Sequence, residues 1–307
     1  MERRRALVVD AFTDEPLRGA PAGVVPDAAG VGDDRLRAIA AELAPEVTAF
    51  VFRDDGAPRL RCFSARGERD ARGRATLAAC AHLYDDDAID AGTHAVGTAA
   101  GTLTVRVDDD DGTVWLERSL PAVRTVELDF DRVGTALGIV PDALKDVGAD
   151  LPAGIATGAA STLVLPVNFL ERLGEADPDP VALDRLAEEH DVDGVYAVTF
   201  DALDVESTLH GRYFVPEREE TERPASVGAS LACGAYLRTV DAFDDPPDEF
   251  RFEGGHFIDR SSVVRIRAGG ATAGGESGTA LVGGRAVTAL DGEVRVPAGD
   301  DDEIIEA

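Results

Sequence analysis

A chain of 307 residues with 59 Asp and Glu against 30 Lys and Arg, net charge −29, carries no basic stripe able to neutralise nucleic-acid phosphates. Its 44% hydrophobic content excludes wholesale disorder, its length admits two domains with separate cores, and no apolar run is long enough to span a membrane. Lys145 is the only lysine, and the carboxylates are spread along the chain, which predicts a halophilic protein whose self-repulsion is screened by molar salt.

The N-terminus, MERRRALVVDAF, has too short an apolar run for a signal peptide, so the expected location is cytoplasmic. Ala6 to Phe12 reads as a buried first strand and Gly23 to Val25 as a second. Asp33 to Leu43 places apolar residues at helical spacing behind two aspartates, as the helix dipole favours. Thr48 to Phe52 and Arg59 to Phe63 are strands. Arg74 to Tyr84 is a helix of small residues suited to close packing on all sides. Leu103 to Val107 and Thr113 to Glu117 form a hairpin about an Asp-Asp-Gly turn.

The second half repeats this order. Thr162 to Val167 is a strand, Pro180 to His190 an amphipathic helix, and Gly194 to Phe200 and Gly211 to Val215 are strands. Pro224 to Leu237 is a second helix of small residues, and Phe250 to Phe252, Val263 to Ile266 and Ala280 to Val282 close the pattern. The run from Ala268 to Gly278 reads as a flexible loop and the last nine residues as a frayed tail. In both halves a strand ends in Phe (Phe63, Phe214), a charged loop follows, and an Ala-rich helix comes next. The reading is a duplicated α/β (α+β) unit, divided as 1–121 and 122–307, with both Ala-rich helices aiming their N-termini at the interface. Such a junction suits an anionic ligand.

Five ordered segments resemble the PhzF (phenazine-biosynthesis) family. Val9 to Val25, VDAFTDEPLRGAPAGVV, resembles VDVFTxxPxxGNPAAVV. Leu43 to Val51, LAPEVTAFV, resembles LSETAFV and sets Glu46 on the family's catalytic glutamate. Arg61 to Leu83 resembles RxFTPxxEVPLCGHATLAAxxVL, with Arg72 for the usual cysteine, Gly73 kept, and Arg74 for the usual histidine. Phe214 to Leu237 resembles FxPxxGxxEDPATGSAAGPLAxYL, with Arg223 for aspartate, Ser226 for threonine, Val227 for glycine and Gly228 for serine. Glu253 to Ile266 resembles QGxxMGRPSxIxV.

The resemblance implies a diaminopimelate epimerase-like fold: two pseudo-symmetric halves, each a mixed sheet or open barrel around a central Ala-rich helix. It also implies a cofactor-independent isomerase that moves a proton within a small cyclic or amino-acid-like carboxylate. Glu46 would be the general acid/base, with Gly73, Arg74, Arg223, Ser226 and Gly228 binding the anion. A homodimer is expected by the same likeness. Related racemases use a cysteine at each helix N-terminus; neither Arg72 to Arg74 nor Pro224 to Gly228 contains one, which disfavours a two-thiol mechanism.

From the residues alone the alternatives stay open. Glu46 is either a proton carrier or a connector between helix and strand. Arg74 and Arg223 either bind a ligand's carboxylate or phosphate, or pair with Glu46, Glu68 or Glu222 and fill an altered site that binds a metabolite without chemistry. Ser226 either touches a ligand or caps its helix. Cys62, Cys80 and Cys233 are an odd number and predict no disulfide framework, with Cys80 and Cys233 in the core. His82, His94, His190, His210 and His256 lack metal-ligand spacing, no G-x-S-x-G elbow occurs, and the glycine-rich run lacks a P-loop lysine. No metal, nucleotide or other cofactor is expected.

Overall fold

The computed structural model describes residues 2–43, 45–54, 57–70, 73–148, 151–216, 221–268 and 278–296. Arg72, most of the glycine-rich run and the C-terminal tail lie outside them.

The pairing pattern is a duplication written in hydrogen bonds. Glu2–Ala11 lies antiparallel to Ala20–Val25, which runs parallel to Thr48–Asp54. Antiparallel Ala57–Ser64 follows, then parallel Gly92–Thr98, then antiparallel Gly101–Val107 and Val114–Ser119. The second half reproduces the sequence of directions. Gly154–Thr157 is antiparallel to Ser161–Pro166, which is parallel to Gly194–Thr199. Antiparallel Leu209–Phe214, parallel Glu249–Gly254, and antiparallel Ser262–Ala268 and Thr279–Gly284 complete it. Val114–Ser119 and Thr279–Gly284 pair with each other and join the halves into one mixed sheet.

Each half takes its outermost strand from the segment that has just left the other. Ala122–Thr125 follows Ser119 and pairs with Gly154–Thr157. Ala286–Val296 follows Gly284 and pairs with Glu2–Ala11 along the whole first strand. The parallel pairs force crossovers, and these carry the helices. Asp33–Leu43 and Pro180–His190 occupy equivalent crossovers on the outside; Gly73–Asp85 and Val227–Thr239 occupy equivalent ones inside.

The inner helices are apolar all round, as a helix enclosed by strands must be. Every residue from Ala75 to Leu83 is buried, and so is every residue from Ala229 to Leu237. Small residues are needed there because the sheet closes tightly: a Cβ at Gly234 would sit 3.2 Å from Ile266. Both inner helices share one core, which includes Cys80, Cys233, Phe250 and Phe252. Burial pushes the Cys80 thiol up to about 12, and Cys233 also upward, so both cysteines pack as small hydrophobes. The outer helices cover separate cores, Leu36 and Ile39 on Phe50 and Phe63 in one half, Leu183 and Leu186 on Phe214 in the other.

Most predicted elements are present, and the helices Asp33–Leu43 and Pro180–His190 have the predicted bounds. The second inner helix begins at Val227 rather than Pro224, because Ser226 is its N-cap in extended conformation (φ −140°, ψ 116°). Three helices of the second half, Phe130–Leu137, Asp142–Gly148 and Leu170–Gly174, and the strands Ala122–Thr125, Gly154–Thr157, Gly92–Thr98 and Ala286–Val296 go beyond the sequence reading. The last of these alternates weakly, since only Val296 along it is fully buried.

Candidate active site at the meeting of the inner helices

The inner helices point their N-termini at each other. Gly73 opens one and Val227 the other, and these equivalent residues touch: a Cβ at Gly73 would lie 2.4 Å from Val227 Cγ2. At such a junction the free N–H groups and dipoles of both helices add, which favours negative charge.

Glu46 provides it. It sits in the short connection between the outer helix Asp33–Leu43 and the strand Thr48–Asp54. Its Oε2 accepts a hydrogen bond from Arg74 Nη2 and lies 3.7 Å from Arg223 Nη1. One arginine comes from each half, so the carboxylate bridges them. The arginine side chains are 14% and 11% exposed and Glu46 is 48% exposed, so the cations are held deeper than the acid. An arginine in the first turn of a helix opposes the dipole by roughly 0.3–1 kcal/mol, and Glu46 offsets that for Arg74.

The other pairings left open by the sequence are excluded by local partners. Glu68 is taken by Arg61, with bonds of 2.8 and 2.7 Å. Glu222 is taken by Arg212, 2.6 Å away and buried with it. Arg212 also donates to the carbonyls of Leu173 and Ala176 and lies over the rings of Phe214 and Phe257. That network fixes the strand end from which Arg223 reaches the junction, since Tyr213 pairs with Arg223 and Phe214 with Glu222.

Ser226 is a cap: its Oγ accepts from the Ala229 N–H at 3.2 Å. Gly228 lies in the first turn, where a Cβ would meet only Ser226 Oγ and Ala160 Cβ at 3.9 and 4.0 Å. Thus Glu46, Gly73, Arg74, Arg223, Ser226 and Gly228 converge on one junction from distant parts of the chain. Beside it, a cavity of about 10 Å³ between Arg223, Pro224, Ser226, Tyr196 and Ser262 has room for one water. A wider groove, about 950 Å³, lies beyond the C-terminal end of the first inner helix; Asp85, Asp87, Asp90, Asp108 and Asp109 line it, and their charge repels anions.

Two buried acids tie distant segments together. Asp10, 1% exposed, accepts from Leu17 N–H at 2.7 Å and from Arg260 at 3.1 Å, tying the first turn of the chain to the second half. Glu253, 2% exposed, accepts from His210 Nδ1 at 2.9 Å and from the Asp204 N–H at 3.1 Å. Ser262 Oγ donates to the carbonyl of Pro224 at 2.6 Å and so fixes the approach to the second helix. Among the described residues no three or more His, Cys, Asp or Glu gather as metal ligands do, and no helix is long and apolar enough to cross a membrane.

Comparison with known proteins agrees with this architecture. The family model described as phenazine biosynthesis-like protein, PhzC-PhzF, matches residues 9–292. A Bacillus subtilis protein named uncharacterized isomerase YfhB is 29% identical over 288 residues, covering 91% of this chain and 97% of that protein. The crystal structure of a Bacillus anthracis PhzF-family phenazine biosynthesis protein superposes with a TM-score of 0.86 at 22% identity, over 96% of this chain and 100% of that one. That of a predicted epimerase, PA4716 of Pseudomonas aeruginosa, gives a TM-score of 0.73 at 22% identity, over 96% and 100%. Paired inner helices, a duplicated mixed sheet and a glutamate at their meeting point thus coincide with an almost full-length match, and the chain belongs to the phenazine biosynthesis-like PhzC-PhzF family.

Proposed function

We propose that the protein is an isomerase that moves a proton within a small carboxylate by acid/base chemistry, with Glu46 as the proton carrier. The observation that carries this reading is the placement of Glu46 at the meeting point of two helix N-termini, with a guanidinium from each half beside it. A relative named as an isomerase, aligned over most of both chains, supports the reaction class.

In the proposed reaction Glu46 accepts a proton from a substrate carbon. The electron pair of the broken C–H bond delocalises into the adjoining unsaturated or carboxylate system. The same oxygen then returns the proton to a second carbon, so no electrons leave the substrate and no other reactant is consumed. The N–H groups at Gly73 and Gly228 hold the developing negative charge, and Arg74 and Arg223 hold the substrate's anion. For this, the Glu46–Arg74 contact must loosen as substrate enters, the guanidinium passing from Glu46 to the ligand. The site lies between halves divided near residue 121, in a cytoplasmic and salt-adapted protein.

The test is deuterium incorporation followed by NMR in deuterated buffer with molar KCl, over a panel of cyclic and amino-acid carboxylates. Exchange at a C–H position by the wild type and not by Glu46→Gln is the expected result. A specific observation favours a second reading, a metabolite-binding protein without turnover: Val227 closes the gap at Gly73, and both arginines already engage Glu46. Under that reading ligands broaden in the same spectra while no position exchanges.

A further inference from the structure

The two helix N-termini of the junction are not equally open. Over Gly73, the first residue of one inner helix, the space is taken by Val227, the first residue of the other. All three side-chain carbons of Val227 crowd it: a Cβ at Gly73 would lie 2.4 Å from Cγ2, 2.7 Å from Cβ and 3.0 Å from Cγ1. Gly228, one residue further along the second helix, is exposed. Among the described residues a Cβ there would meet nothing closer than Ser226 Oγ at 3.9 Å and Ala160 Cβ at 4.0 Å. One side of the joint is plugged by an isopropyl group, and the other has room.

The plug is fixed in place. A β-branched side chain on a helix has one strongly preferred χ1, so the isopropyl group does not swing aside without meeting the helix backbone. Val227 is half-buried and packs against the core shared by both inner helices. Its backbone follows directly on the Ser226 cap, whose Oγ accepts from the Ala229 N–H. An isopropyl group has neither donor nor acceptor, so it presents bulk to a ligand and no polar contact.

Space then decides what the junction can hold. Glu46 is 48% exposed, so a carboxylate can reach the arginines from its side. The cavity beside the junction measures only about 10 Å³. A cavity that takes up benzene measures on the order of 150 Å³. A carboxylate on a short chain fits against the Gly228 side of Val227, whereas a ring bearing that carboxylate has to occupy the place of the isopropyl group.

We propose that Val227 is the specificity-determining residue of the junction, admitting a small open-chain carboxylate and excluding one borne directly on a ring. The proposal rests on the reading of the Glu46 junction as the ligand site. It narrows the substrate class from cyclic or amino-acid-like carboxylates to open-chain ones. Val227→Gly vacates the space over Gly73. Adding Gly73→Ala to that chain puts a methyl group back into the same space from the opposite helix.

The experiment is ligand-observed NMR titration of the full chain with acetate and benzoate, both monoanions, at one fixed high KCl concentration. The readout is the ratio of the two affinities, in which a general loss of folded protein cancels. A single methylene in an apolar pocket discriminates by about 10- to 200-fold, so the benzoate-to-acetate ratio should rise at least tenfold in Val227→Gly, with Val227→Ala in between. Adding Gly73→Ala to Val227→Gly should reverse most of that gain, which a merely structural role of Val227 would not produce. If Val227→Gly does not fold, Val227→Ala carries the test. An unchanged ratio overturns the proposal, as does a wild type that prefers benzoate, or no binding of either anion to any variant. Deuterium exchange with Glu46→Gln is read separately. A raised ratio without exchange in any chain removes the isomerase reading and leaves Val227 as the filter of a binding site. Exchange by the wild type into ring carboxylates as readily as into open-chain ones does the opposite.

Discussion

Gly73 and Val227, the first residues of the two inner helices, are in contact across the pseudo-symmetric junction, with Val227 Cγ2 2.4 Å from where a Gly73 Cβ would be. That contact makes the helix ends a closed joint and places Glu46, Arg74 and Arg223 around it. Gly73→Ala forces the two helix ends apart. A loss of about 1–3 kcal/mol is expected, as for other overpacked sites, with Val227→Gly in the same chain restoring part of it, because Val227 Cβ itself would lie 2.7 Å from the new methyl. Thermal melts of the two single variants and the double variant measure the coupling; additive effects would separate the two residues.

Arg212 and Glu222 form an enclosed arginine–carboxylate pair near the site, each side chain 7% exposed. Removing one partner leaves a buried charge with no compensation. Arg212→Leu should cost on the order of 3–5 kcal/mol, while replacing both by apolar residues should cost much less. Chemical denaturation of the single and double variants distinguishes these outcomes. Because Arg223 follows Glu222 directly, the single variant should also weaken anion binding.

Glu253 gives the fold an acid limit. Burial alone would raise its carboxyl, yet the hydrogen bonds from His210 and from the Leu203 and Asp204 N–H groups hold it from 4.5 down to about 2. A depressed carboxyl stabilises the fold above its unfolded value. That contribution, on the order of 3 kcal/mol, disappears as pH falls from 4.5 to about 2. Glu253→Gln should lower stability at neutral pH and flatten its dependence on pH across that window. Melting temperatures of the two proteins along an acid series would converge at the lower end; parallel curves would contradict the assignment.

Salt should govern stability as a whole. Local pairs such as Arg5 with Asp86 and Asp291, both at 2.8 Å, neutralise only small patches of a surface whose net charge is −29. Unfolding is expected as KCl is dialysed away, because the Debye length grows from about 3 Å at 1 M to about 30 Å at 0.01 M. Circular dichroism during dialysis tests this, and an unchanged spectrum in dilute buffer would argue against salt adaptation.

The sequence by itself determined most of the strands and both pairs of equivalent helices, because burial periodicity is local. The alternation of Arg59 to Phe63 and the small residues of Arg74 to Tyr84 are visible without knowing their neighbours. It also supplied Glu46 and both arginines, through segments whose residue order resembles a family. It gave little sign of Ala286–Val296, whose pairing with Glu2–Ala11 depends on a partner at the other end of the chain. Only the tertiary structure decided that Glu46, and neither Glu68 nor Glu222, receives Arg74 and Arg223, since each rival acid is claimed by an arginine on a neighbouring strand position. Charge pairing is settled by distances of a few ångströms between segments far apart in sequence, and those distances exist only once the strands have closed around the helices.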